Sequence, residues 1–270
     1  MKRRLIAIAV LAAVATGLFL LLVISDRPAQ ARVDFLDVGQ GDATLLQAPS
    51  GQRILIDGGP DRAVLGELAR VLPFWTKEID LVIISHFHED HIGGLLSVAQ
   101  NYKVKEAVFD SWQAPSQKVQ EVLSGFKAEG VGLAVNRGRK KIDLGPGCGL
   151  ELAGANQAEK DDNHSLIARF DCAGKSWLFL GDAPIEEQAR FREELPDWRA
   201  ETVKISHHGS DDGLDEAWLE QLGAKAAVIE VGKGNKYHHP SRRVLKKLER
   251  LGLEIRRTDL DGRVSFAYGP

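Results

Sequence analysis

The chain has 270 residues, 44% of them apolar and 27% charged, with a net charge of −3 at pH 7. Those values are ordinary for a globular protein with a sizeable core. The negative balance argues against a surface built mainly to hold nucleic acid by bulk charge, although two bound divalent cations would add about +4 locally.

The N-terminus pairs Lys2-Arg3-Arg4 with an uncharged run from Leu5 to Ser25. About 20 apolar residues span a bilayer, and the run is long for a signal-peptide core. Ala29 and Ala31 supply the small residues of a cleavage site after Ala31. A retained anchor and a cleaved signal both place the rest of the chain outside the cytoplasm, by the positive-inside rule. A buried core helix is the alternative. Residues 1–31 are therefore read as signal peptide or anchor, and residues 32–270 as one exported domain.

From Val33 the pattern is β: Val33 to Leu36, Ala43 to Gln47 and Arg53 to Ile56, separated by glycine turns. Val64 to Leu72 has helical spacing and stops at Pro73. Leu81 to Ile84 is a short apolar strand, Ile92 to Gln100 a helix, Ala107 to Phe109 a strand, and Ser116 to Glu129 an amphipathic helix. Gly132 to Leu152 reads as hairpin strands around Gly145-Pro146-Gly147. Strands at Leu166 to Phe170, Trp177 to Leu180, Thr202 to Ile205 and Ala226 to Val231 alternate with helices at Ile185 to Leu195 and Leu214 to Leu222. Ser241 caps a helix to about Leu251, and a strand pair around Asp261-Gly262 closes the chain. Mixed sheets covered by helices fit this order better than a purely parallel doubly wound sheet.

Cys148 and Cys172 lack zinc-ribbon spacing. They read first as two separate small core residues. A disulfide is the alternative, and would need an oxidising compartment.

All eight histidines fall in four short clusters, each in a loop beside a strand: His86, His88 and His91; His164; His207 and His208; His238 and His239. In an extended loop His86 and His88 point to one side, so they can share an ion. Asp90 and His91 can reach a second. Imidazole with carboxylate suits zinc, manganese or iron far better than calcium. Asp182 follows the apolar strand ending at Leu180-Gly181, where a carboxylate can bridge two cations; capping the helix after Pro184 is its alternative role. His207-His208-Gly209-Ser210 has the same strand-then-loop layout. His207 is read as the ligand there, and His208 as the neighbour that supports it or faces substrate. Arg137-Gly138-Arg139-Lys140-Lys141 is the basic run considered for guiding DNA, with a solvated hairpin tip as the alternative.

The order Asp57-Gly-Gly, His86-x-His88-x-Asp90-His91, Gly181-Asp182, His207-His208-Gly-Ser resembles the metallo-β-lactamase superfamily. Asp37-Val-Gly-Gln40-Gly-Asp42, Asp162-Asn163-His164-Ser165-Leu166, Asn235 through His239-Pro240 and Thr258-Asp259-Leu-Asp261-Gly262 resemble one subgroup, the hydrolase domain of the competence protein ComEC and its stand-alone relatives. That subgroup often carries Asp where this chain has His88. The resemblance covers roughly residues 33–268. It implies an α+β fold, a four-layer αβ/βα sandwich of two mixed sheets flanked by helices. It also implies two divalent metal ions, zinc first and manganese second, and hydrolysis of a phosphodiester substrate such as DNA.

In that scheme His86, His88 and His164 hold one ion, and Asp90, His91 and His207 the other, with Asp182 shared. His164 has a solvent-facing loop position as its alternative. Asp57 orients a ligating histidine from behind. Asp90, His208 and His239 are the catalytic candidates; Asp42, Asn235 and His239 are the substrate-binding ones. A β-lactam or lactone hydrolase and a non-catalytic exported metal-binding module are the rival functions.

Overall fold

The computed structural model describes residues 2–25, 30–110, 116–154 and 164–268. Their elements run α1 (Lys2–Ser25), β1 (Ala31–Phe35), β2 (Thr44–Gln47), β3 (Arg53–Ile56), α2 (Ala63–Val71), β4 (Glu78–Ile84), α3 (Glu89–Ile92), α4 (Leu95–Asn101), β5 (Lys103–Asp110), α5 (Gln117–Ala128), β6 (Gly132–Asn136), β7 (Arg139–Asp143) and β8 (Cys148–Ala153). The second half runs β9 (Ile167–Cys172), β10 (Lys175–Phe179), α6 (Ile185–Glu194), β11 (Thr202–Lys204), α7 (Glu216–Leu222), β12 (Ala226–Ile229), α8 (Arg242–Arg250), β13 (Glu254–Arg257), α9 (Thr258–Asp261) and β14 (Val264–Tyr268).

Among the described residues the strands make two seven-stranded sheets, ordered β14-β1-β2-β3-β4-β5-β6 and β13-β12-β11-β10-β9-β8-β7. Each is mixed. Pairing is antiparallel up to β3 and parallel from β3 to β6 in the first sheet. In the second it is antiparallel from β7 to β10 and parallel from β10 to β13. Phe35, Ile83, Phe170, Trp177 and Phe179 pack in the core between the sheets. Leu68, Val98 and Phe126 from α2, α4 and α5 cover the first sheet's outer face. Phe191, Trp218 and Leu248 from α6, α7 and α8 cover that of the second. The result is the four-layer sandwich of two mixed sheets.

Three local expectations are corrected. The last two strands do not pair with each other: β13 joins the second sheet, and β14 crosses to lie against β1. Their apolar residues alone could not reveal that choice, because both edges accept an antiparallel or parallel neighbour. Similarly β6 ends the first sheet and β7 starts the second, so only β7 and β8 form the hairpin around Gly145 to Gly147. The helix expected from Ile92 is split into α3 and α4 at Gly93-Gly94. A side chain at Gly93 would meet the Pro60 carbonyl oxygen at 1.9 Å, so the backbone passes too close for anything larger.

Cys148 and Cys172, read first as separate core residues, are bonded to each other. They are partners in register across β8 and β9, a proximity that the sequence spacing does not encode. The bridge closes a loop with a separation of 24 residues, worth about 3 kcal/mol through the unfolded chain. Urea unfolding of Cys148→Ala/Cys172→Ala is expected to show that loss, and reduction of the wild type to reproduce it. Superimposable transitions with and without reductant would contradict it.

The N-terminal basic-then-apolar run forms α1, 24 residues long. Among the described residues no helix is long and apolar enough to cross a membrane. Ala29 of the cleavage motif lies outside the described residues, as do Asp162 and Asn163.

Candidate metal centre

The candidate residues converge because the strands that carry them end at one edge of the sandwich. Loops at the carboxyl ends of parallel strands are where open α/β sheets place their ligands. His86, His88, Asp90 and His91 follow β4; Asp57 follows β3; Asp182 follows β10; and His207 and His208 sit in a 3-10 turn, Ser206–Gly209, after β11. Both histidines of that turn have positive φ, 50° and 52°. A two-residue left-handed kink of this kind is strained for non-glycine residues and marks a position held by its surroundings.

Among the described residues three groups have ligand-type atoms within 4.8 Å of one another, and two of them face the mouth of the site. One is His86, His88 and Asp182; the other is Asp90, His91 and His208. Asp182 joins them: its Oδ2 is 3.6 Å from His86 Nε2 and its Oδ1 is 3.4 Å from His91 Nε2. His91 Nε2 and Asp182 Oδ1 are buried with no hydrogen-bond partner. Buried polar atoms almost always close a hydrogen bond, and these two stand 3.4 Å apart without closing one. Facing imidazole and carboxylate atoms in that state fit a divalent cation bound by both.

The groups behind these ligands set their orientation. Asp57 Oδ2 lies 2.8 Å from His91 Nδ1, so Nδ1 carries the proton and Nε2 turns its lone pair to the site. Ser85 fixes Asp57 in turn: its N–H donates to Oδ1 at 2.8 Å and its Oγ–H to Oδ2 at 2.6 Å. His208 Nδ1 lies 2.9 Å from the Glu230 carbonyl oxygen, leaving Nε2 3.1 Å from Asp90 Oδ2. The Asp37 to Asp42 turn is clamped against this loop, with Asp42 N–H donating to the Asp90 carbonyl at 3.2 Å. Gly41 permits it, since a side chain there would stand 2.2 Å from that same oxygen.

A third group, Asp42, Asp57 and His91, has similar spacing but a different meaning. Lys204 lies against it, buried, in an ion pair with Asp42 and donating to the Gly181 carbonyl at 3.0 Å. The ammonium supplies the positive charge there, so this group supports His91 rather than forming another ion site. Glu230 completes the cluster, accepting from Ala43 N–H at 3.0 Å and Thr44 Oγ–H at 3.1 Å. Burial and the neighbouring Asp42 push its pKa up to about 8.

Burial pulls His91 and His208 down, but the surrounding carboxylates outweigh it, holding His91 well above its ordinary value and His208 at about 10. Burial would raise Asp182, yet His91, His208 and His86 hold it well below the usual carboxylate range. Burial and the His91 charge keep His86 neutral.

The structure places the predicted residues unequally. His208, not His207, stands with Asp90 and His91; it is buried, whereas the His207 side chain is 43% exposed, with Nε2 4.0 Å from Asp182. The twin histidines look alike in sequence, and only the kink decides which turns inward. His164 joins neither group; its Nδ1 sits 3.1 Å from Glu187. Asp42, assigned to substrate, is buried and occupied by Lys204 and by His208 Nδ1 at 3.1 Å. Asn235 is also spent internally: Nδ2 donates to the Gly232 and His239 carbonyls at 3.0 and 2.7 Å, and Oδ1 accepts from His239 N–H at 3.0 Å.

His239 remains at the mouth, its ring 5.8 Å from that of His207 and stacked on Tyr237. Burial and His207 lower its pKa, leaving a neutral imidazole. A cavity of about 320 Å³ opens here, lined by Gln40, His88, Asp90, Asp182, His207, Tyr237 and His239 among others. Lys204, Glu230, Ser85 and Tyr237 were missed by sequence reasoning. Lys204 and Glu230 left a signal, each a charged residue within a run read as an apolar strand.

A two-sheet sandwich with clustered histidines and carboxylates at its strand ends defines a metal-dependent hydrolase. The chain belongs to the metallo-beta-lactamase superfamily, whose family description matches residues 36–232. It is 31% identical to ComE operon protein 3 of Bacillus subtilis (strain 168), over 94% of this chain and 35% of that protein. It is 23% identical to competence protein ComA of Neisseria gonorrhoeae, over 89% and 33%. The chain thus spans about a third of the length of these curated relatives. The metallo-beta-lactamase fold protein YhfI from Bacillus subtilis superposes with a TM-score of 0.58 at 13% identity, over 88% of this chain and 99% of that one.

Proposed function

We propose that this chain is an exported, two-metal phosphodiesterase acting on a nucleic-acid strand. The observation that carries the reading is the pair of ligand groups joined by Asp182, with the buried His91 Nε2 and Asp182 Oδ1 unsatisfied. His86, His88 and Asp182 would hold one ion, and Asp90, His91 and His208 the other. Zinc suits this donor set best, and manganese next. When bound, two such ions polarise a phosphoryl oxygen and lower the pKa of water towards neutrality. The protein's own part is to hold the donors: Ser85 fixes Asp57, Asp57 fixes His91, and the Glu230 carbonyl fixes His208. At the mouth, the neutral His239 imidazole and the half-exposed His207 offer hydrogen bonds to substrate oxygens.

Support for a nucleic-acid substrate comes from the competence relatives. Support for export comes from the basic-then-uncharged N-terminus and the Cys148–Cys172 bridge, since such bridges persist in oxidising compartments. A substrate panel tests the reading. The 270-residue chain loaded with Zn²⁺ or Mn²⁺ is expected to cleave bis(p-nitrophenyl) phosphate and single-stranded DNA, and to leave nitrocefin and simple lactones intact. Turnover of nitrocefin or lactone alone would replace phosphodiesters with those substrates. Metal binding with no turnover would mark a non-catalytic module.

A further inference from the structure

The stretch from Lys233 to Arg250 carries seven Lys and Arg residues and one acid, Glu249, in a chain whose net charge is −3. Five of the cations, Arg242, Arg243, Lys246, Lys247 and Arg250, lie on α8. At 100° per residue they occupy a face only about 140° wide. The opposite face, with Val244 and Leu248, is buried against the second sheet. Glu216 is the acid in this groove of about 590 Å³, and it fixes Arg250 and Lys247, the latter at 3.4 Å. Among the described residues, Arg242, Arg243 and Lys246 have no ion-pair partner, and all three are exposed.

The strip begins at the metal centre. Ser241 caps α8 with its Oγ accepting from Val244 N–H at 3.1 Å, and its own N–H donates to the Gly209 carbonyl at 2.8 Å, beside His207 and His208. Just before it stand His239 and Tyr237, rings stacked 5.8 Å apart at 13°, with Tyr237 54% exposed. Lys236 lies over the Tyr237 ring. From Arg242 to Arg250 the strip runs about 12 Å along the helix axis. The other basic run is already neutralised in part: Arg139 binds Glu151 and Asp197, and Lys141 binds Glu151.

We infer that Tyr237 and the basic face of α8 form a binding track for single-stranded nucleic acid, leading its phosphodiester backbone away from the metal centre. The inference rests on the phosphodiesterase reading of that centre. An exposed aromatic ring beside a row of cations is the usual pairing for a strand, with a base stacked and the phosphates neutralised. An anionic membrane fits less well, because a helix that lies on lipid needs an exposed apolar face. The apolar face of α8 is already buried.

Fluorescence anisotropy of a labelled 20-residue oligothymidylate, with the full 270-residue chain in chelator across a salt series, tests the track. Arg242→Ala/Lys246→Ala is expected to weaken binding about tenfold and flatten the log–log salt slope by about 1.4. Tyr237→Ala is expected to weaken it about fivefold, with the salt slope unchanged. The matched pair Arg139→Ala/Lys140→Ala is expected to have a smaller effect. Equal losses from both charge pairs, or none from α8, would overturn the track. So would α8-dependent binding to phosphatidylglycerol vesicles with oligonucleotide affinity unchanged. Turnover of bis(p-nitrophenyl) phosphate by the wild type separates the two claims. Turnover with α8-independent strand binding defeats the track alone, and α8-dependent binding without turnover defeats the phosphodiesterase reading alone.

Discussion

Replacing Asp182 with asparagine is expected to lower kcat/KM for a phosphodiester by about three orders of magnitude, or about 4 kcal/mol of transition-state stabilisation. Asp182 is the carboxylate that reaches across the centre, grouped with His86 and His88 and with its Oδ1 3.4 Å from His91 Nε2 in the neighbouring group. Asparagine keeps the shape and one oxygen but removes the charge that balances those imidazoles. Metal binding should weaken in parallel, and a chelator competition read against wild type will show it. The fold should survive, because the Asp182 N–H bond to Ser165 Oγ at 3.1 Å is made by the backbone. Near-wild-type kcat/KM in Asp182→Asn would remove this carboxylate from the centre.

Lys204→Ala is the second large effect, and it is expected mainly in stability. The Lys204 ammonium is buried against Asp42, with Asp182 Oδ1 4.0 Å away. Burial would lower its pKa, but Asp42, Asp182 and Glu230 raise it, so the charge is retained. Removing one partner of a buried pair leaves the other charged without compensation, a loss of about 3–5 kcal/mol. For a domain of this size that corresponds to a fall in Tm of about 10 °C. Pairing Lys204→Ala with Asp42→Ala in a double-mutant cycle should recover more than about 1 kcal/mol as coupling. A loss below about 0.5 kcal/mol in the single variant would show that Asp42 does not depend on this lysine.

The parts of the centre that were legible in sequence share a cause. His86 to His91, Asp182 and the His207-His208 pair each follow an apolar strand, and residue type states the chemistry directly. What stayed hidden depends on contacts between distant segments. Lys204 and Asp42 meet only because β11 and the Asp37 to Asp42 turn come from opposite sheets. Which of His207 and His208 is buried beside Asp90 is set by backbone dihedrals, and the contact of His164 with Glu187 by the position of α6. Cys148 and Cys172 are brought together by strand register, and β13 and β14 are parted by the sheet that each joins. The α8 strip was visible as charge, but its meaning depends on Ser241 being tied to the Gly209 loop.

The most direct test of the centre as a two-metal phosphodiesterase is turnover of bis(p-nitrophenyl) phosphate by chelator-stripped protein as Zn²⁺ is added back. The account predicts no turnover without metal, and a rise that saturates near the second equivalent. Turnover that persists after stripping, or that never appears with Zn²⁺ or Mn²⁺ bound, would contradict it.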